Sequence, residues 1–182
     1  MKKSFDLKTV DLVLIAVFTV FIAVCSWIVV PGVVPFTMQT FGVFLTVNVL
    51  GGKKGTISVL LYLLLGAIGV PVFSGFTGGI GALLGTTGGY LLGFFCISLA
   101  GWIAESLFGT KTVVTVIAMT IGLIACYLFG TLWFLTVYAK TTGAVGFWTA
   151  LTWCVFPFVP FDLIKMILAI YLAKKLKPLL KQ

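Results

Sequence analysis

Residues 55–104 read GTISVLLYLLLGAIGVPVFSGFTGGIGALLGTTGGYLLGFFCISLAGWIA, and none of these 50 consecutive positions carries a charge. At about 1.5 Å of rise per residue, one continuous helix of that length would measure roughly 75 Å. That is more than twice the thickness of a hydrocarbon core of about 30 Å. The run must therefore cross a membrane and turn back, and the glycine-rich tract at 69–89 provides the turn.

Most of the chain shares this uncharged character. Of 182 residues, 61% are hydrophobic and 9% are charged, whereas a soluble domain carries about a quarter charged residues. A second uncharged run, 12–52, spans 41 residues and contains breakers at Pro31 and Pro35. Because hydrocarbon offers the backbone no hydrogen-bond partners and the alternation of a barrel is absent, the spans are predicted to be helices. We predict an all-α integral membrane protein, one domain over 1–182, with six transmembrane helices near 11–30, 38–51, 55–69, 88–107, 112–137 and 146–173.

The positions of the lysines predict the orientation of these helices. The net charge is +8, with 12 basic and four acidic residues. If the N-terminus is cytoplasmic, Lys140 alone lies outside and Lys165 lies within a helix. This distribution places both termini in the cytoplasm, where the basic groups face anionic lipid headgroups rather than nucleic acid. The ten lysines on the cytoplasmic side are Lys2, Lys3, Lys8, Lys53, Lys54, Lys111, Lys174, Lys175, Lys177 and Lys181.

The first helix is expected to be retained rather than removed as a signal peptide. Its basic start and apolar stretch fit a leader superficially. However, the apolar run at 12–30 spans 19 residues, which is longer than the usual core of a signal peptide, and Asp6 and Asp11 precede it. We therefore count it as the first membrane span.

The sequence supplies the groups needed for catalysis or metal binding poorly. It has no histidine, so a zinc or haem site lacks its usual ligands. The acidic residues near or within the predicted membrane, Glu105 and Asp162, lie on different helices and supply a two-carboxylate mechanism poorly. No P-loop motif is present, so the chain has no recognisable device for ATP hydrolysis, and if it drives uphill transport the energy must come from a partner. We predict a protein that is not an enzyme and needs no cofactor or metal, with isolated, buried thiols at Cys25, Cys96, Cys126 and Cys154.

Asp162 and Lys165 are the most informative pair in the sequence. They stand three apart, so they share one helical face. Counted back from Lys174 along a helix, they lie roughly 18 Å and 13 Å deep. Charges at that depth cost at least about 2.5–3.5 kcal/mol each, which indicates a partner or a watery cavity. Pro157 and Pro160 interrupt the helix just before them and free backbone groups for a ligand. A self-neutralising pair that only tethers helices is the alternative.

Two loops on the predicted outer side favour a ligand site. The tract at 69–89 contains eight glycines among 21 residues and no charge; Phe73 and Phe76 within it and Tyr90 directly after it are flat apolar surfaces. Glycine lets the backbone approach a ligand closely, so a capping or ligand-lining loop is predicted, and a flexible connector is the alternative. On the same side, Gln39 offers both a donor and an acceptor.

A stripe of small residues lies on the first predicted helix. Ala16, Thr19 and Ala23 are spaced at i, i+3 and i+7, and the last two fit the small-xxx-small pattern that lets helices approach closely. Packing inside the chain and docking of another subunit are both consistent with this stripe.

Four motifs together resemble one known family. In chain order they are Pro35-Phe-Thr-Met-Gln-Thr40, Gly69-Val-Pro-Val-Phe-Ser-Gly-Phe-Thr-Gly-Gly79, Gly85-Thr-Thr-Gly-Gly-Tyr-Leu-Leu-Gly-Phe94 and Pro160-Phe-Asp-Leu-Ile-Lys165. They are similar to the BioY family, whose members are the biotin-specific substrate-capture (S) components of energy-coupling-factor (ECF) transporters. The similarity covers nearly the whole chain.

The resemblance implies an S-component bundle in the bacterial cytoplasmic membrane, with a biotin pocket in its outer half. It implies partners as well: a transmembrane coupling protein and two ABC-type ATPases. Small residues of the first helix dock the coupling protein in this family, which would assign Ala16, Thr19 and Ala23 to docking. The residues implied to hold biotin are Asp162, Lys165, Gln39, Phe73, Ser74, Gly78, Gly79 and Tyr90.

Biotin chemistry suits these residues without deciding the ligand's orientation. A carboxylate such as Asp162 accepts from the ureido N–H groups, and Lys165 donates to an acceptor oxygen. An S component for another vitamin and a stand-alone facilitator are the alternative functions. A membrane enzyme is disfavoured because the sequence has no histidine and no pair of carboxylates placed to act together.

Overall fold

The computed structural model describes residues 7–180, and helices dominate it. A two-stranded antiparallel hairpin follows the first helix, with β1 at Val29–Val30 and β2 at Phe36–Thr37. A short 3-10 turn occupies Ser74–Phe76. The helices are α1 (Thr9–Trp27), α2 (Gln39–Leu50), α3 (Gly52–Ala67), α4 (Ile80–Leu84), α5 (Gly88–Phe108), α6 (Thr112–Thr141), α7 (Phe147–Cys154) and α8 (Val159–Leu179).

Within residues 7–180, three helices are by themselves long and apolar enough to cross a membrane: α1, α5 and α6. The pair α7 and α8 passes the same test together but is bent by 42°. Helix α2 has 12 residues and α3 has 16, so at about 1.5 Å per residue each is shorter than a 30 Å core. A multi-pass helical protein is thus present, while the count of six crossings and the side of each terminus stay predictions.

The last predicted helix differs most from the structure. Instead of one helix at 146–173, the chain forms α7 and α8, separated at 155–158, and α8 continues to Leu179. Pro160 sits in the first turn of α8, where a missing N–H costs nothing. Pro157 lies in the turn between the two helices. A further difference is α4, a helix of five residues inside the glycine-rich tract at 69–89.

Helix α2 lies at the centre of the bundle. Nine of its 12 residues are buried, and it contacts α1, α3, α5 and α8. A helix that is apolar on all sides has no face for water and is expected to be enclosed by others. Its first turn, beginning at Gln39, is therefore fixed by packing on every side, which matters because that turn borders the candidate site.

The small-residue stripe on α1 faces mainly inward. Thr19 and Ala23 are each 3% exposed. The Thr19 hydroxyl has two carbonyl acceptors for its one hydrogen, Ile15 O at 2.8 Å and Ser58 O of α3 at 3.2 Å. Of the three residues assigned to docking, Ala16 is exposed. Thr19 and Ala23 are thus packed inside the chain, and docking of another subunit by this stripe stays a prediction.

The two ends of the bundle have different character. The lysine-rich end, defined by Lys53, Lys54, Lys111 and Lys174, includes an ion pair that joins Lys54 of α3 to Asp11 of α1. There Glu105 accepts a hydrogen bond from the N–H of Gly52 at the start of α3. The opposite end, which we call the loop end, consists of the hairpin and the tract at 69–89.

Candidate functional site

A cavity of about 520 Å³ opens at the loop end of the bundle. Its volume lies within the range of roughly 300–1,000 Å³ common for small-molecule sites. Its walls come from the hairpin, the glycine-rich tract and helices α2, α4, α5, α6, α7 and α8. The lining residues are Val34, Pro35, Thr37, Gln39, Thr40, Phe73, Ser74, Thr77, Gly78, Ala82, Gly85, Thr86, Thr87, Tyr90, Leu91, Phe94, Cys126, Tyr127, Cys154, Phe158, Asp162 and Lys165.

Asp162 is the buried acid of this cavity, and its side chain is 2% exposed. Its Oδ1 atom accepts from Lys165 Nζ at 2.9 Å and from the Thr40 hydroxyl at 2.7 Å. Its Oδ2 atom accepts from the Tyr127 hydroxyl at 2.6 Å. Three donors from α8, α2 and α6 thus meet at one carboxylate, which meets the requirement that a buried charge be paired and hydrogen-bonded.

Lys165 uses all three of its N–H groups within the chain. Besides Asp162, Nζ donates to Thr37 O at 2.7 Å and to Thr40 Oγ1 at 3.2 Å. The ammonium also lies 4.1 Å from the centroid of the Phe36 ring, a cation–π contact. Lys165 therefore ties the hairpin and the start of α2 to α8.

Local sequence explains why these groups converge. The spacing of three puts Asp162 and Lys165 on one face of α8. Helix α8 begins just before Pro160, and the Asp162 N–H already donates to Phe158 O at 2.8 Å. The hairpin is held over this turn by aromatic contacts, because the Phe36 ring lies 5.1 Å from Phe161 and 5.8 Å from Phe158.

Gln39 begins α2 and is held by a second polar network. Its Oε1 atom accepts from the Thr37 hydroxyl at 2.9 Å, and its Nε2 atom donates to Tyr62 Oη at 2.6 Å. Tyr62 is fully buried and packs edge-to-face against Phe73, with ring centroids 5.5 Å apart. The amide is therefore positioned by the hairpin and by α3, and Phe73 of the glycine-rich tract packs against the tyrosine that holds it.

The glycine-rich tract is anchored to the end of α1. The Ser26 hydroxyl donates to Val72 O at 2.6 Å, and Trp27 Nε1 donates to Pro71 O at 3.1 Å. Further along, Gly75 has φ 68, a left-handed conformation that glycine adopts without strain. The tract is therefore an ordered cover over the cavity rather than a free connector.

The structure places seven of the eight predicted binding residues on the cavity wall. These are Asp162, Lys165, Gln39, Phe73, Ser74, Gly78 and Tyr90. The eighth, Gly79, does not line it; its N–H donates to Gly66 O at 2.6 Å and its φ is 91, so it shapes the turn before α4. Phe76, named as an apolar surface, is 63% exposed and stacks on Trp27 at 5.0 Å.

Sequence reasoning missed Tyr127 and Thr40, which both contact Asp162. Tyr127 lies in the middle of α6, a 30-residue helix with no break to mark a site. A usable signal was the distance from the lysine-rich end. Tyr127 is about 22 Å along α6 from Thr112, and Asp162 is roughly 18 Å along α8 from Lys174, so the two residues lie at similar depth. A buried carboxylate needs donors at its own depth, and a tyrosine hydroxyl is one.

Known proteins resemble this chain in sequence and in structure. The family model described as the BioY family matches residues 1–182. The biotin transporter BioY of Thermotoga maritima is 41% identical over 171 residues, which is 93% of this chain and 96% of that protein. The probable biotin transporter BioY of Pyrococcus horikoshii is 47% identical over 89 residues, 48% of this chain and 55% of that protein. A crystal structure of the S-component for biotin from an ECF-type ABC transporter superposes with a TM-score of 0.78 at 28% identity, covering 92% of this chain and 90% of that one.

Proposed function

The chain belongs to the BioY family, and from that premise we propose that it captures biotin at the cell membrane as the substrate-binding subunit of an ECF-type importer. The resemblance predicted from the four motifs is confirmed at the level of the family. The observation that supports capture by this chain is the cavity of about 520 Å³ with a buried, hydrogen-bonded carboxylate in its wall.

The hydrogen bonds of the site favour one orientation of biotin. An ionised carboxylate offers about four acceptor positions. Asp162 uses three of them, for Lys165, Thr40 and Tyr127, which leaves one for a ligand. Lys165 reaches a ligand oxygen only by releasing one of its present acceptors. We therefore assign the ureido head, which carries N–H donors, to Asp162, and direct the carboxylate tail of biotin away from it.

The other candidate residues have distinct proposed roles. Phe73 and Tyr90 provide apolar surface for the ring system, and Ser74 and Gly78 belong to the tract that covers it. Gln39 presents a polar edge that Thr37 and Tyr62 hold in place. Gly79 acts indirectly, through the turn that it forms.

Titration calorimetry on the detergent-solubilised chain tests this function. We expect saturable one-to-one binding of biotin and no heat with riboflavin or thiamine as comparison ligands. Binding of another vitamin in preference to biotin would reassign the substrate. The absence of binding by a folded sample would reduce Asp162 and Lys165 to a structural tether.

The transport step is proposed to depend on partners. The chain has no ATP-binding loop, so we assign ATP hydrolysis to two ABC-type ATPases joined through a transmembrane coupling protein. The exposed face of α1 that carries Ala16 is the candidate docking surface, since Thr19 and Ala23 are buried within the chain. Uptake of labelled biotin by membrane vesicles with and without these partners tests the dependence.

The orientation in the membrane is proposed from the lysines, which would place the lysine-rich end in the cytoplasm beside anionic lipid. A cysteine in place of Lys53, introduced after replacing Cys96, which is partly exposed, should react with impermeant maleimide only after the membrane is opened. A cysteine in place of Phe76, which is 63% exposed at the loop end, should react in intact cells. The reverse pattern would invert the topology.

A further inference from the structure

One tyrosine hydroxyl donates a hydrogen bond to the Asp162 carboxylate at the centre of the site. Tyr127, on α6, donates its hydroxyl to Asp162 Oδ2 at 2.6 Å, and it is the one hydrogen-bond partner that residues 7–180 give this oxygen. Tyr127 also lines the cavity. The other partners of Asp162 bond to Oδ1 and belong to the connection between α2 and α8.

The distribution of these bonds makes Oδ2 the oxygen that remains available to a ligand. Each carboxylate oxygen has about two acceptor positions. Thr40 and Lys165 fill both positions on Oδ1, whereas Tyr127 fills one on Oδ2. A ligand N–H that binds Asp162 without displacing a chain donor must therefore share Oδ2 with the tyrosine hydroxyl.

We propose that Tyr127 is a positioning residue that limits Asp162 to a single N–H donor from the ligand and so favours a neutral ureido head over heads with more donors. The inference rests on the proposed biotin function. The hydroxyl fixes the carboxylate from the side opposite Thr40 and Lys165, so its plane is set before the ligand arrives. A guanidinium head, which offers two N–H groups on one side and a positive charge, finds only one free position there.

Replacement of Tyr127 by phenylalanine, combined with two ligands, tests this role. In the wild type, biotin should bind more tightly than 2-iminobiotin, whose guanidinium head is protonated at pH 7. In Tyr127→Phe, biotin affinity should fall by about tenfold or more, since the carboxylate of Asp162 is no longer held in one orientation before the ligand arrives. The affinity for 2-iminobiotin should stay unchanged, because its additional N–H group takes the vacated position.

The ratio of the biotin affinity to the 2-iminobiotin affinity distinguishes a positioning role from a general disturbance of the cavity, which would weaken both ligands alike. Tyr90→Phe is the matched control: it removes a hydroxyl from the same cavity, but that hydroxyl contacts Thr131 at 3.0 Å and not Asp162. We expect the two ligands to change together in that variant.

Two outcomes would overturn the inference while leaving biotin capture intact. One is tighter binding of 2-iminobiotin than of biotin by the wild-type chain, which can be measured without any variant. The other is an unchanged affinity ratio in Tyr127→Phe, whether both affinities fall or neither does. A wild type that binds no biotin would instead overturn the proposed function together with this inference.

Discussion

The loop end and the lysine-rich end each contain a lysine paired with a carboxylate, but the two pairs lie in different surroundings. Lys165 and Asp162 have side chains that are 7% and 2% exposed, whereas Lys54 and Asp11 are 35% and 17% exposed. The first pair borders a cavity and bonds to hydroxyl groups from two further helices. The second joins α1 to α3 near water.

The same two residue types therefore have different consequences at the two ends. A partly exposed pair keeps much of its hydration and contributes little to stability. A buried pair loses its hydration, and the free-energy cost of that loss is offset only if the remaining acceptors and donors are also hydrogen-bonded. At the loop end Thr40, Tyr127 and the Thr37 carbonyl meet that requirement, and they lie beside the cavity in which we propose that biotin binds.

The largest contrast should come from neutralising the two aspartates in turn. Asp162→Asn keeps the shape of the side chain but removes its charge, so biotin affinity should fall by about 10- to 100-fold. Asp11→Asn is the matched change at the lysine-rich end and should leave biotin affinity unchanged. Calorimetric titration of both variants measures the difference. Equal effects, or none in Asp162→Asn, would remove the distinction between the two pairs.

A smaller effect is expected from crowding the cover of the cavity. A Cβ added at Gly66 would collide with the ring of Phe73, which is 1% exposed and cannot retreat into solvent. Gly66→Ala should therefore displace Phe73 and weaken biotin binding by about tenfold, comparable with the loss of one core contact. Gly81→Ala is the control, because nothing lies within 4 Å of the added atom. Unchanged binding in Gly66→Ala would show that Phe73 does not contribute.

The smallest effect should be on stability alone, at the lysine-rich end. Glu105 accepts from the Gly52 N–H at the start of α3, where a negative charge interacts favourably with the helix dipole. Glu105→Gln should lower the free energy of unfolding by about 0.3–1 kcal/mol, a shift of roughly 1–4 °C in the melting temperature. Biotin affinity should not change. A loss of binding in this variant would mean that the two ends are coupled.

Much of the architecture could be predicted because hydrophobic length and glycine position are local signals. The predicted helices at 88–107 and 112–137 correspond to α5 and α6. The predicted break before Asp162 is present between α7 and α8, but the angle between the two helices was not predictable from sequence. A bend of 42° depends on what the two segments pack against.

The candidate site was predictable only where a residue is unusual for its surroundings. Asp162 and Lys165 stand out because charges are rare at that depth. Tyr127 and Thr40 do not stand out, because such residues are common in membrane helices. Their role follows from the meeting of α2, α6 and α8. The stripe at Thr19 and Ala23 is the opposite case, because it stands out in the sequence but its role does not follow. Its spacing indicates that a helix packs closely against it, but not whether that helix belongs to this chain or to another subunit.

The hydrogen bond from Lys165 to the Thr37 carbonyl also sets an order of assembly. It joins residues 128 positions apart, and the bond between Thr40 and Asp162 joins residues 122 apart. Contacts this distant in the chain form late, because a long loop must close before they are made. Lys165 is the last residue of the candidate site in chain order, so the site is complete only once α8 has been synthesised. A nascent chain that ends before residue 165 lacks the ammonium that joins the Thr37 carbonyl and Thr40 to Asp162.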